Sequence, residues 1–128
     1  MRRARPHAGG AVLLWFGVLG APFAWAAQHV TGYALTEATC STAAARNGWG
    51  VPLDAWTIVV TSVAVAAGVG SLAAAIATFR AVYDAGSEPP RGRIRFLAVI
   101  GITIAPLFLA IMLMSGLGVL FLNRCAQG

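Results

Sequence analysis

The chain has 128 residues, of which 59% are hydrophobic and only 10% are charged. Soluble domains carry about 25% charged residues, so this composition excludes a water-soluble globular protein and predicts an integral membrane protein. The formal net charge of +5 comes from nine basic residues, all arginines in short segments near apolar runs. Arginines placed in this way act as topology signals, and they do not indicate a nucleic-acid-binding face.

Three apolar runs predict transmembrane helices over residues 11–36, 55–80 and 96–122. Each run exceeds the roughly 20 helical residues that cross about 30 Å of hydrocarbon, and runs of this length do not suit a β-barrel. The predicted fold class is an all-α integral membrane protein with three transmembrane helices. The remaining segments are a basic N-terminus (1–10), an outer loop (37–54), a cytoplasmic loop (81–95) and an outer tail (123–128).

The arginines predict the orientation of the chain. One set precedes the first run or lies between the second and third, namely Arg2, Arg3, Arg5, Arg80, Arg91, Arg93 and Arg95. Only Arg46 and Arg124 fall on the opposite side. Because basic residues accumulate in cytoplasmic segments, we expect a cytoplasmic N-terminus and an outside C-terminus. The arginines expected to anchor the helix ends at the headgroups are Arg2, Arg3, Arg5, Arg91, Arg93 and Arg95. The Ala- and Arg-rich, Lys-free usage is typical of a GC-rich bacterial genome, which predicts the bacterial inner membrane.

The first run also imitates a secretory signal peptide. Residues 1–26 combine a basic start, an apolar stretch and the cleavage-like pattern Ala24-Trp25-Ala26. However, the apolar run continues well beyond Ala26, which favours an uncleaved helix. The intact mass of the purified protein distinguishes the two interpretations.

Trp25, His29 and Tyr33 recur every fourth residue and form a stripe on one face of the first helix. Polar side chains in hydrocarbon normally face protein or water, so we interpret the stripe as a surface for a partner. An alternative makes His29 a haem or copper ligand together with Met112 or Met114, since His and Met are a known axial pair. In the simpler interpretation, His29 forms a hydrogen bond with a neighbouring group and the two methionines fill gaps in the packing. This interpretation predicts no resident cofactor.

Small residues spaced four apart provide faces on which membrane helices pack. The second run contains Ala64/Gly68, Ala67/Ser71 and Gly70/Ala74, and the third contains Gly101/Ala105 and later Ser115, Gly116 and Gly118. The first run contributes Gly17, Ala21 and Ala24. A folded bundle, a homo-oligomer and a complex with another protein would all use such faces.

Cys40 follows the first run and Cys125 follows the third, so the arginine topology places both cysteines outside. That side is oxidising in bacteria, and tails of adjacent helices can approach each other closely. We therefore predict a Cys40–Cys125 disulfide. Free thiols, an intermolecular bridge and a metal site remain alternatives.

The sequence contains no P-loop, no nucleophile with a base, and no metal-binding spacing, so we expect no catalysis.

The first run and the residues just after it contain a set of distinctive residues, namely Gly20-Ala21-Pro22, Ala24-Trp25, His29, Gly32-Tyr33 and Cys40. In these residues the chain resembles small, uncharacterised bacterial membrane proteins encoded beside haem-copper cytochrome c oxidase subunits. The resemblance implies an accessory or assembly role near a terminal oxidase, with lipid and other membrane subunits as partners.

Our principal functional expectation is therefore a non-catalytic accessory or assembly subunit of a membrane complex. Two alternatives remain open. One is a redox protein that binds haem or copper through His29, and the other is a small self-assembling membrane protein of the holin type.

Overall fold

The computed structural model describes residues 8–40, 53–83, 88–122 and 125. It contains three α-helices: α1 (Ala8–Cys40), α2 (Leu53–Val82) and α3 (Arg91–Phe121). All three are long and apolar enough to cross a membrane, and the described residues include no β-strand. The predicted all-α fold with three transmembrane helices is therefore confirmed.

The helices extend past the predicted spans. α1 has 33 residues, which corresponds to about 50 Å at about 1.5 Å per residue, against about 30 Å of hydrocarbon. α3 begins at Arg91, whereas the sequence assigned residues 81–95 to a loop. Pro90 directly precedes the helix, where proline is well tolerated, and arginine side chains in a first turn are long enough to reach the headgroups. Residues 91–95 are therefore helical, which is compatible with the predicted anchoring role of their arginines.

Four arginines that set the predicted topology lie together at one end of the molecule. Arg80 is in the last turn of α2, and Arg91, Arg93 and Arg95 are in the first turns of α3. The predicted anchors Arg2, Arg3 and Arg5 lie outside the described residues, as do Arg46 and Arg124.

α1 and α3 run parallel in one constant register. Three contacts join them along their lengths: Gly17 with Gly101, Gln28 with Met112, and Cys40 with Cys125. The hydrogen-bonded pair is 84 positions apart in the sequence and the disulfide pair 85. Along α2 the contacts with α1 run in the opposite sense, because Ala21 meets Ser71 and Gln28 meets Thr61. The bundle is therefore up, down and up.

The three helices make backbone-level contact where Gly17, Ala75 and Gly101 meet. A Cβ atom added to Gly101 would lie 2.6 Å from the carbonyl oxygen of Gly17, and one added to Gly17 would lie 2.9 Å from the amide nitrogen of Ala75. Real Cβ atoms do not approach other atoms so closely. Toward the other end of the bundle, a Cβ at Gly116 would lie 2.6 Å from Cγ2 of Thr61. Glycine is therefore what permits the helix spacing at both places.

The buried residues are mostly small, and the large apolar side chains face outward. The buried hydrophobic residues are alanines and one methionine: Ala21, Ala24, Ala64, Ala74, Ala75, Ala98, Ala105 and Met112. In contrast, the side chains of Phe23 and Val63 are 75% and 65% exposed. Because lipid tails are as apolar as leucine, close packing of small residues stabilises such a bundle.

Most of the predicted small-residue pairs lie inside this bundle. Ala64, Gly68, Ser71, Ala74, Gly101 and Ala105 are buried, whereas Ala67 and Gly70 are half-buried. These faces are therefore used by the chain's own helices.

Ser71 adds a polar contact to the same interface. Its side chain is fully buried, and its hydroxyl accepts from the backbone N–H of Ala21 at 3.2 Å. The hydroxyl proton lies within reach of two carbonyl oxygens of α1, that of Phe16 at 3.0 Å and that of Gly17 at 3.2 Å. The Ser71 hydroxyl therefore acts as both acceptor and donor toward the backbone of α1. These contacts lie in the turn before Pro22, which has no backbone N–H to donate.

The arginine end of the bundle is held by a cation–π contact. The Arg95 guanidinium carbon lies 5.8 Å from the ring centroid of Phe79 and 5.4 Å from that of Tyr83. Such contacts contribute about 0.5–1 kcal/mol at exposed sites and more when desolvated. Arg95 is half-buried, so it joins α3 to α2 in addition to marking the basic end.

We predict that Gly101→Ala destabilises the bundle by about 1–3 kcal/mol, because the new methyl group collides with the Gly17 carbonyl. The matched control is Gly118→Ala on the same helix, where an added Cβ meets nothing within 4 Å. Reversible unfolding in mixed detergent micelles, followed by far-UV circular dichroism, measures both variants. Equal stability of the two variants would contradict the close contact.

Candidate functional site

The half of the bundle that ends at the Cys40–Cys125 disulfide, which we call the outer half, contains a buried amide that bridges all three helices. Gln28 of α1 is 7% exposed. Its Nε2 donates to Thr61 Oγ1 of α2 at 3.2 Å and to the carbonyl oxygen of Met112 in α3 at 3.3 Å. Only the amide nitrogen can donate to a carbonyl, so these partners fix which end of the side chain is Nε2. Hydrogen bonds between membrane helices contribute about 0.6–2 kcal/mol each.

Two buried polar atoms beside this bridge have no hydrogen-bond partner among the described residues. They are Gln28 Oε1, an acceptor, and Trp25 Nε1, which carries a donor proton. An unpaired buried polar group costs about 1–3 kcal/mol. The two side chains lie three residues apart on α1 and therefore on neighbouring positions of one helix face. This part of the bundle carries hydrogen-bonding capacity that its own fold does not use.

The predicted stripe of Trp25, His29 and Tyr33 divides between the bundle and its surface. The Trp25 ring is half-buried and packs 5.5 Å from the ring of Phe108 on α3. His29 packs on Trp25 with ring centroids 5.3 Å apart, but its side chain is exposed. Tyr33 is 70% exposed. Trp25 is thus the inner edge of the stripe, and the other two rings face outward.

The two methionines of the haem or copper hypothesis lie in different environments. Met112 is fully buried, and its Cε would lie 2.8 Å from a Cβ placed on Gly68 of α2. Met114 is 66% exposed on a different face of α3. The described residues hold no group of three or more His, Cys, Asp or Glu suited to a metal ion.

A cavity of about 250 Å³ opens between the helices on the outer side of Gln28. We call it the outer cavity, and its polar lining side chains are Gln28, His29, Tyr33, Thr36, Thr57, Thr61 and Ser115. Gly32, Leu35, Val60, Gly116 and Val119 complete the walls. The exposed stripe residues His29 and Tyr33 therefore line the same cavity as the bridging amide of Gln28.

The cysteines close the outer end of the bundle. Cys40, the last residue of α1, forms a disulfide with Cys125, four residues beyond the end of α3, and their Cα atoms lie 5.5 Å apart. The predicted disulfide is thus present. The sequence placed Cys40 in a non-helical tail, but α1 continues to it, and the Thr39 hydroxyl donates to the Leu35 carbonyl at 2.8 Å within that last turn.

Sequence reasoning missed Gln28 and Thr61 as site residues. Helical periodicity places Gln28 next to the stripe on α1, but it cannot show that this side chain points between the other two helices. The available signal was its chemistry: Gln28 is the one amide side chain within the three predicted spans. A primary amide at that depth needs partners from its own protein or another.

We predict that the untreated protein contains no alkylatable thiol and that reduction exposes two, as measured by the mass added by a maleimide under denaturing conditions. The double variant Cys40→Ser/Cys125→Ser should be less stable than the oxidised protein and indistinguishable from the reduced one. The chain-entropy model gives an upper limit of about 4.5 kcal/mol for a loop of this length. Two reactive thiols before reduction would contradict the bond.

Comparison with protein family models, with curated proteins and with solved structures gave no match for this chain.

Proposed function

We propose that this protein is a non-catalytic accessory or assembly subunit of a larger membrane complex, and that it meets its partner through the face formed by Trp25, His29 and Tyr33. The observation that carries the proposal is the exposure of His29 outside the chain's own bundle. An imidazole and a phenol left exposed by the described helices call for a second protein surface.

The depth of His29 strengthens this argument. α1 has no charged residue between Ala8 and Glu37, and its midpoint is Ala24. His29 lies five residues beyond the midpoint, or about 7.5 Å along the axis, well within the roughly 15 Å half-thickness of hydrocarbon. Tyr33 lies about 13.5 Å from the same point, near the interface. An imidazole at the depth of His29 is costly in lipid and is normally satisfied by protein or water.

The partner's chemistry follows from these rings. A neighbouring transmembrane helix that presents a hydroxyl, carbonyl or carboxylate would pair with the imidazole, and an apolar surface would cover the exposed ring of Tyr33. The resemblance of the first helix to proteins encoded beside cytochrome c oxidase subunits supports a respiratory terminal oxidase as the partner complex.

Two features support an N-terminus in the cytoplasm and a location in the bacterial inner membrane. Arg80, Arg91, Arg93 and Arg95 lie at one end of the bundle, and the disulfide lies at the other. Basic residues favour the cytoplasmic side, and disulfides persist on the oxidising side. Both observations favour the same orientation.

We predict that a photo-crosslinking amino acid at position 29 or 33 forms adducts with an oxidase subunit in native membranes, as identified by mass spectrometry. Val63 is the control position: it is 65% exposed on α2, two residues from Thr61, the partner of Gln28, and therefore at a similar depth. It should give no protein adduct. His29→Ala should reduce co-purification of the partner about 5- to 30-fold, the equivalent of 1–2 kcal/mol, and Val63→Ala should not.

Other outcomes of the crosslinking experiment would reject the proposal. Adducts only between copies of this chain would favour the self-assembling alternative. Adducts only with lipid at positions 29 and 33 would show that the face has no protein partner.

The orientation gives a separate prediction. A cysteine introduced at the exposed residue Ala55, at the start of α2, should react with a membrane-impermeant maleimide added to intact spheroplasts. One introduced at the exposed residue Glu88, just before α3, should react only after the membrane is opened. The reverse pattern would overturn the cytoplasmic assignment of the N-terminus.

A further inference from the structure

We propose that a groove at the arginine end of the bundle binds one anionic phospholipid, with the lipid phosphate paired to Arg93 and an acyl chain packed against Trp15 and Phe96. The groove, which we call the basic groove, has a volume of about 610 Å³. It lies between Trp15 of α1 and six of the residues from Pro90 to Leu97 at the start of α3. This inference goes beyond the proposed partner role and does not depend on it.

The depth of the basic groove matches the boundary between hydrocarbon and headgroups. Ala24, the midpoint of α1, is level with Phe108 of α3, because contacts between the two helices join positions 84 apart and the rings of Trp25 and Phe108 touch. Trp15 lies about 13.5 Å from this level along the axis, just inside the roughly 15 Å half-thickness of hydrocarbon. Arg93 lies about 22 Å from it, at the headgroups. One end of the groove therefore meets lipid chains and the other meets lipid phosphates.

The lining of the basic groove has the same two-part character. Trp15 and Phe96 are exposed and offer aromatic surface at the end nearer the hydrocarbon. Arg93 is also exposed, and it is the one charged side chain among the described lining residues. A molecule with a charged head and an apolar chain is complementary to both parts of the groove. A soluble phosphate would use only the arginine, and a hydrocarbon would use only the rings.

Arg93 has no partner of its own in the part of the chain that the structure describes. The neighbouring Arg95 is held over the rings of Phe79 and Tyr83, whereas no ion pair, hydrogen bond or ring contact engages the Arg93 guanidinium there. A guanidinium is a planar fork of N–H donors that binds phosphate oxygens through two parallel hydrogen bonds. Arg93 is therefore available to a lipid phosphate.

The surrounding charge selects an anionic headgroup over a zwitterionic one. Residues 80–95 contain four arginines and two carboxylates, Asp84 and Glu88, and residues 1–10 add three arginines and no carboxylate. A zwitterionic headgroup would bring an ammonium group into this excess of positive charge, where it is repelled. A headgroup of net negative charge is attracted by the same arginines.

The test counts the lipids that the purified full-length protein retains when it is released from detergent micelles in native mass spectrometry. The two lipid probes, dioleoyl phosphatidylglycerol and dioleoyl phosphatidylcholine, have identical chains and differ in headgroup charge. We expect saturable binding of one phosphatidylglycerol, about fivefold tighter than that of phosphatidylcholine, as the attraction of one arginine to an anionic lipid implies. Glycerol 3-phosphate, which carries a phosphate without the chains, should not bind at the same concentrations.

Two pairs of variants locate the lipid. Arg93→Gln should remove the preference for phosphatidylglycerol. Arg80→Gln should leave it unchanged, because Arg80 is equally charged and exposed at the same end of the bundle but does not line the groove. Trp15→Ala should lower the retention of both lipids, whereas Trp56→Ala should not, since Trp56 is similarly exposed but lies in the first turn of α2, at the other end. All four side chains are exposed, so we expect the variants to fold, as circular dichroism checks.

The proposal is overturned if the two lipids bind equally tightly, or if glycerol 3-phosphate binds as tightly as phosphatidylglycerol. It is also overturned if Arg80→Gln removes the preference as completely as Arg93→Gln does. In that case the whole basic end, and not the groove, would attract the lipid.

Discussion

The close approach of three backbones at Gly17, Ala75 and Gly101 is the contact on which the rest of the bundle depends. Hydrocarbon offers no hydrophobic gain for bringing helices together, so stability must come from dispersion contacts and hydrogen bonds made at short range. Once the helices touch there, Ser71 is close enough to bind the backbone of α1, and farther along α1 Gln28 can reach both neighbours. The polar contacts are thus a consequence of the glycine contacts.

The half of the bundle nearer the disulfide contains both a close contact and a cavity. Gly116 meets Thr61 there, and the outer cavity lies between the helices on the same side of Gln28. Side chains that cannot fill this space, such as Thr57 and Ser115, line it, while His29 and Tyr33 lie at its rim. The exposed rings of His29 and Tyr33 are therefore adjacent to this cavity on the same helix.

Much of this fold could be predicted because the membrane restricts it. Run length predicted the helices, and the positions of Cys40 and Cys125 after two runs that end on the same side predicted the disulfide. The start of α3 was placed too late because Arg91, Arg93 and Arg95 were interpreted as loop by their charge, although long cationic side chains are compatible with a helix end at the headgroups. The role of Gln28 could not be derived, since periodicity defines the face of one helix and not the rotation of its neighbours about it.

The disulfide has a topological consequence. By joining the end of α1 to a residue just beyond α3, it makes residues 40–125 a closed covalent ring that includes all of α2 and α3. α1 itself lies outside the ring and is attached to it at Cys40. A single cut anywhere between the two cysteines therefore leaves the pieces covalently joined.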